Sequence, residues 1–211
     1  GLAERALDAQ RSGEFLASFL PFVEKVARLG AQNSLIQTVL KLALPGVPDI
    51  YQGTELWDLS LVDPDNRRPV DYELRKRLLL ELQQMEGENV AAQVMVRADE
   101  GLPKMWVIHQ ALKLRMERPE CFGAEAEYTP LEVDGAKHDH AIAYLRGEDV
   151  VTVVPRLTLK LDGMWKDTIA VLPKGRWRNR LTGELVAGGV ITMKVLLKDF
   201  PVALLVREGH E

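Results

Sequence analysis

Apolar residues recur at three- and four-residue steps through the first half of this chain and alternate with polar ones through much of the second. Phe15, Leu16, Phe19, Leu20, Val23, Val26 and Ala27 define one helical face, which Gly30 is expected to end. A second helix is expected from Ser34, where Gln37 three residues on completes a capping-box pattern. It carries Leu35, Ile36, Val39, Leu40 and Ala43 and stops at Pro45-Gly46. Asp71 is placed to cap a helix with Leu74, Leu78, Leu79, Leu82 and Met85 on its buried side and Gly87 behind it. A short helical piece fits Val90 to Arg97. Pro103 suits the first turn of a further helix, which carries Met105, Ile108, Leu112 and Met116 and ends at Pro119.

From about Gly123 the period changes. Tyr128–Val133, Ala141–Leu145, Val150–Val154, Thr168–Leu172, Trp177–Leu181 and Val190–Val206 read as short β segments. Asp134-Gly135, Arg146-Gly147, Lys174-Gly175, Thr182-Gly183 and Gly188-Gly189 separate them, a turn spacing that predicts an antiparallel sandwich. The boundary is placed at Cys121–Ala124, giving units of residues 1–122 and 123–211. One short apolar run, Val47 to Tyr51, lies between Pro48 and Gly53 in the helical half. It is expected to be a strand, with Pro48 at its start or on an edge.

Composition narrows the function classes. With 211 residues and 46% hydrophobic content the chain can bury a substantial core. The net charge of −4 and the interleaving of acids and bases argue against nucleic acid as a partner. No run approaches the roughly 18 apolar residues of a membrane span, and the opening GLAERALDAQRSGEF has no apolar stretch of the signal-peptide kind. A single cysteine, Cys121, fits a reducing compartment, so a cytoplasmic location is expected, and its neighbours Pro119 and Phe122 suit a small core residue.

The chemistry concentrates in one connection, PGVPDIYQGTELWDLSLVDPDNRRPVDY, from Pro45 to Tyr72. Glu55, Asp58, Asp63 and Asp65 could divide acid and nucleophile roles in glycoside chemistry, with Tyr51 and Trp57 stacking on a sugar. They could equally cap turns and pair with Arg67 and Arg68. Asp63-Pro64-Asp65-Asn66 has the form of an Asx-rich turn. His138-Asp139-His140 lacks a third ligand at metal-binding spacing and is expected in an exposed hairpin. Trp106, Trp165 and Trp177 are expected as packing residues, although an exposed one would suit a sugar. The chain has no Gly-rich phosphate loop, CxxC pair or HExxH, so no cofactor is implied.

The segment PGVPDIYQGTE resembles the eighth barrel strand and following loop of the α-amylase superfamily. Its continuation, ELWDLSLVDPDNRRPVDY, resembles the maltooligosyl trehalose synthase family more closely, and the DPDNRRPVDY run is the most specific part. FLASFLPFVEKVARLGAQNSLIQTVLKL is similar to the helical stretch before the last strand of that family. YTPLEV, VVTVVPR, WRNRLTGE and DFPVALL are similar to segments of its C-terminal β domain.

The resemblance implies an α+β fold: a helical segment carrying the last strand of an incomplete (β/α)8 barrel, followed by a C-terminal antiparallel β-sandwich domain. It also implies a retaining intramolecular transglycosylase, which converts the reducing-end α-1,4 bond of a maltooligosaccharide into an α,α-1,1 bond with water excluded. The family's three catalytic carboxylates belong to the ends of the fourth, fifth and seventh barrel strands, and this chain corresponds to sequence after the seventh. No catalytic residue is therefore carried over, and the fragment alone is expected to be inactive. The residues expected to shape the reducing-end glucose site are Tyr51, Gln52, Glu55, Trp57, Asp58, Asp63, Asp65, Asn66, Arg67 and Arg68; for Arg67 and Arg68 bracing the loop is an equal alternative.

The expected partner is a maltooligosaccharide bound by the longer enzyme. With its neighbouring strands missing, Val47–Tyr51 is expected to be buried either in a collapsed helical cluster or in a homodimer. The competing reading is a non-enzymatic carbohydrate-binding or interaction module using Trp165 or Trp177.

Overall fold

The computed structural model describes residues 1–60, 67–85 and 89–209. Among these residues five α-helices come first: α1 (Leu2–Ala6), α2 (Gly13–Ala43), α3 (Tyr72–Gln84), α4 (Val90–Val96) and α5 (Leu102–Glu117). Seven strands of the described residues follow: β1 (Tyr128–Pro130), β2 (Val133–Asp134), β3 (Ala141–Arg146), β4 (Val150–Pro155), β5 (Ile169–Asn179), β6 (Leu185–Thr192) and β7 (Ala203–Glu208). Short helices α6 (Thr158–Leu161) and α7 (Met193–Leu196) lie after β4 and β6.

The stop expected at Gly30 does not occur, and α2 runs unbroken for 31 residues. A glycine inside a helix costs only about 1 kcal/mol, which the packing of the C-terminal half outweighs. Leu35, Ile36, Val39, Leu42 and Ala43 are all buried there, and Ser34 accepts from Thr38 Oγ1 as an interior residue instead of capping. The N-terminal half has no such cover. Phe15, Phe22 and Val26 are exposed, and the Phe15 and Phe19 rings stack 5.0 Å apart.

Helix α5 is the centre of the helical half. The sequence pattern assigned it a single face with Leu112 and Met116; the structure leaves both exposed and buries Leu102, Met105, Trp106, Val107, Ile108, Ala111 and Leu114. The burial spreads around the helix because α2, α3 and α4 all pack on it and its buried residues share one core with Tyr144, Val150, Val154 and Leu204 of the sheet. Trp106 makes the junction explicit: its Nε1 donates to the Leu181 carbonyl at 3.0 Å, tying α5 to the end of β5.

The strands form one antiparallel sheet of order β1-β3-β4-β7-β5-β2, with β6 on β5. This corrects the expected two-sheet sandwich. The sheet supplies its own second layer by curling. The segment 128–134 pairs with β3 at Tyr128–Pro130 and with β5 at Val133–Asp134, so it touches both ends of the strand order. One face of the curl carries Tyr144, Val150, Val154, Leu204 and Val206 into the core shared with the helices. The other face encloses Val151, Val153, Leu172, Trp177, Ala203 and Leu205 together with Leu161, Trp165, Met193 and Leu196. Strand β4 is therefore buried at every position, which explains why VVTVVP reads as a continuous run without alternation.

Two of the expected turns are also different. Thr168–Leu172 and Trp177–Leu181 join in one eleven-residue strand, β5, and Lys174-Gly175 lies at a register shift within it. Opposite, Gly188 sits where a Cβ would stand 2.2 Å from the Pro173 carbonyl oxygen. The two glycine signals thus mark a bulge and the strand that must accommodate it, not chain reversals. Asp134-Gly135, Arg146-Gly147 and Thr182-Gly183 do fall at turns.

Val47–Tyr51 is not a strand. These residues pair with no neighbour among the described residues, Val47 is 98% exposed, and Ile50 packs against the helical core. A lone extended segment has nowhere to place its backbone hydrogen bonds except water, so it stays irregular.

Candidate substrate-binding loop

The chain from Tyr51 to Ser60 lies over the N-terminal ends of α3 and α5. Thr54 turns it, donating through both its amide (3.1 Å) and its hydroxyl (2.7 Å) to the Tyr51 carbonyl. Leu56 is buried, and Lys104 of α5 donates from Nζ to its carbonyl at 3.1 Å. Gly101, at φ +79°, allows this close approach: a Cβ there would be 2.7 Å from the Trp57 amide nitrogen.

Helix α3 fixes the loop from the other side. Asp71 caps it as expected, accepting from the Leu74 amide at 2.9 Å. Arg75, one turn in, spreads its guanidinium over three acceptors. Nε donates to Glu55 Oε2 at 2.8 Å, Nη1 to the Asp71 carbonyl at 3.0 Å, and Nη2 to the Gly53 carbonyl. Tyr72 donates from its hydroxyl to Gln52 Oε1 at 3.0 Å.

Asp58 is served within the loop. It accepts from the Ser60 hydroxyl and, at 2.9 Å, from the Ser60 amide, while Arg68 Nη2 donates to Ser60 Oγ at 2.9 Å. The Ser60 hydrogen bonds hold the Asp58 carboxyl below its ordinary value, with the Arg68 and Lys104 charges assisting. Burial draws the Lys104 ammonium below the usual lysine range, Lys41 adds to this, and Asp58 and Glu55 oppose it. Trp57 is half-buried, its indole Nε1 donating to the Ala98 carbonyl before α5. Tyr51, Gln52, Asp58, Arg67 and Arg68 are exposed.

The structure thus brings together Gln52, Glu55, Trp57, Asp58 and Arg68. Asp63, Asp65 and Asn66 lie outside the described residues. Glu55 and Asp58 act as acceptors committed to Arg75 and Ser60, which is the chemistry of a braced binding surface. Sequence reasoning sought the acids' partners in Arg67 and Arg68. It missed Tyr72, Arg75 and Lys104, whose contacts with the loop cross 20 to 48 residues. The one local clue was the position of Arg75, four residues after a helix cap and pointing back towards the preceding chain.

Other candidates fall elsewhere. Trp165 and Trp177 are core residues at 7% and 0% exposure, so neither offers a face to a sugar. His138 and His140 lie on a short 3₁₀ turn, not a strand, with their Nδ1 atoms against the carbonyls of Gly135 and Arg156. Cys121 is buried, and burial pushes its thiol up, away from nucleophilic use. Among the described residues no three His, Cys, Asp or Glu side chains gather as a metal site.

No protein-family model matches this chain. It is 38% identical over 204 residues to a putative maltooligosyl trehalose synthase of Mycobacterium tuberculosis, a match covering 96% of this chain and 24% of that protein. The fold agrees. The maltooligosyltrehalose synthase from Arthrobacter ramosus superposes with a TM-score of 0.82 at 38% identity, over 98% of this chain and 26% of that one. This chain is a relative of the maltooligosyl trehalose synthases. A hypothetical maltooligosyl trehalose synthase of Sulfolobus tokodaii matches more distantly, with a TM-score of 0.66 and 28% identity over 92% of this chain and 23% of that one. The chain spans about a quarter of the length of the synthases it matches. Among the described residues no helix is long and apolar enough to cross a membrane.

Proposed function

We propose that this chain is part of an intramolecular transglycosylase that converts the reducing-end α-1,4 bond of maltooligosaccharides to an α,α-1,1 bond, in trehalose biosynthesis. What carries the reading is the combination of relatedness to a quarter of the synthases' length over nearly all of this chain with a loop whose polar and aromatic residues are held together by α3 and α5. In this role the loop holds sugar. Tyr51 and Trp57 offer ring faces, and Gln52, Asp58 and Arg68 offer hydrogen-bonding groups at the open side. Asp63, Asp65, Asn66 and Arg67 are proposed as members of the same rim.

The isomerisation itself requires a nucleophile and an acid/base placed on either side of the scissile bond. No pair in this chain is proposed for those roles, since Glu55 and Asp58 are each committed to a structural partner. By itself the chain is expected to be inactive. A reducing, cytoplasmic setting suits its single buried cysteine.

Incubation with maltopentaose, followed by NMR of the anomeric region, tests the catalytic half of the proposal. New α,α-1,1 signals would overturn the claim of inactivity. Titration with maltooligosaccharides tests the binding half. Millimolar binding that disappears with Trp57→Ala or Tyr51→Ala is expected; binding indifferent to both would move the site off this loop.

A further inference from the structure

A second concentration of charge lies at the junction of α5 with the sheet and shares no residue with the 51–75 loop. Strand β5 carries Arg176 and Arg178 on one face, and Arg180, just past its end, continues the same alternation. Arg178 and Arg176 pair in register with Val206 and Glu208 of β7, and the Arg180 amide donates to the Leu204 carbonyl. The end of α5 adds Glu117 and Arg118, and β7 adds Arg207. Together these residues line a cavity of ≈ 580 Å³.

Five arginines and two glutamates around one cavity leave an excess of positive charge in a chain whose net charge is −4. Both glutamates are already engaged, Glu208 by Arg178 and Glu117 by Arg180 at 3.1 Å. Arg207 is consumed by Asp149 (3.0 Å), the Glu148 carbonyl (2.9 Å from Nη2) and the face of Trp177. Arg118 meets Glu120 and Asp149 only at 4.0 Å. Arg176 is exposed, and Arg180 Nε is buried without a hydrogen-bond partner. The carboxylates therefore compensate Arg178, Arg180 and Arg207 and leave Arg176 and Arg118 without a close one, while the unpaired Arg180 Nε adds a buried donor that costs free energy until it is satisfied.

We propose that this cavity binds a small molecule bearing phosphate groups. The planar donor fork of arginine matches phosphate oxygens two at a time, and the two lining arginines without a close carboxylate, Arg176 and Arg118, could each take one phosphate. The volume lies within the ordinary range of small-molecule sites.

Calorimetric titration of the protein with pyrophosphate and with inorganic phosphate, at matched ionic strength, tests this. Saturable binding is expected, tighter for pyrophosphate, and Arg176→Ala and Arg118→Ala should each weaken it about tenfold, the scale of one lost charge-assisted contact. Arg68→Ala, in the other loop, should leave it unchanged, and far-UV circular dichroism would confirm that each variant is folded. Absence of saturable heat would overturn the proposal, as would unaltered binding in the folded Arg176→Ala and Arg118→Ala proteins or complete displacement by chloride. Tighter binding of polyglutamate than of pyrophosphate would also overturn it, assigning the surface to an acidic protein segment.

Discussion

Arg75 reaches from the first turn of α3 to Glu55, its Nε 2.8 Å from the carboxylate oxygen, and thereby determines where the 51–60 loop stands. The pair is partly buried, with side-chain exposures of 17% and 28%, and the same guanidinium also holds the Gly53 and Asp71 carbonyls. Replacing it with methionine would keep much of the stem's packing and remove all three contacts. The expected loss is about 1.5–3 kcal/mol in urea denaturation, the range for hydrogen bonds to charged groups. Arg75→Lys should recover only part of this, because one ammonium cannot reproduce the fork. If the loop holds sugar, maltooligosaccharide affinity should fall with stability in both variants.

Trp106 links the helical half to the sheet through a single hydrogen bond to the buried Leu181 carbonyl. Trp106→Phe removes the donor and strands that acceptor. A destabilisation of about 1–3 kcal/mol is expected, read from the midpoint of chemical denaturation with an unchanged slope.

Two glycines should respond in opposite directions to the same change. At Gly188 a methyl group meets the backbone of residues 173–175, which cannot yield cheaply, so Gly188→Ala should destabilise by about 1–3 kcal/mol. At Gly30, inside α2, a Cβ meets nothing within 4 Å, so Gly30→Ala should stabilise by about 0.5–1 kcal/mol. Thermal unfolding of the two variants against the parent checks both signs.

Acid should weaken the fold in two separate windows. Burial, with Lys113 and Arg180 nearby, holds the His109 imidazole below its ordinary 6.5. The unfolded chain therefore binds this proton first, and stability falls as pH drops through 6.5 towards the lower folded value. His109→Gln should flatten that part of the profile. Asp58 acts lower down. Its folded pKa is depressed, so its contribution is present above the unfolded value near 3.8 and is lost as pH falls through the folded one. Asp58→Asn should alter only that acid limb. Urea denaturation across pH resolves the two.

Much of the local structure was legible in the residues. Asp71 announced a helix start because its carboxylate has only the nearby amides of its own turn to satisfy, and Pro103 suited a first turn because its missing N–H costs nothing there. The family relationship was legible too, since the run from Pro45 to Tyr72 is specific as a string. Signals that admit two outcomes were not. Gly30 reads as a stop yet lies mid-helix, and Gly175 and Gly188 read as turns yet form a bulge, because each choice is made by what packs alongside.

The sequence by itself determined the change from helix to strand near residue 122, most helix ends, and the concentration of polar and aromatic groups in the 51–72 connection. Those depend on neighbours a few residues apart, through caps, turn geometry and side-chain period. Only the tertiary structure decided that the sheet curls on itself, that Glu55 belongs to Arg75, and that Arg118, Arg176, Arg178, Arg180 and Arg207 surround one cavity. Along the chain those arginines are interleaved with acids and show no cationic stripe. They meet because strand pairing and the docking of α5 bring positions up to 89 residues apart to one place, a distance over which no local propensity acts.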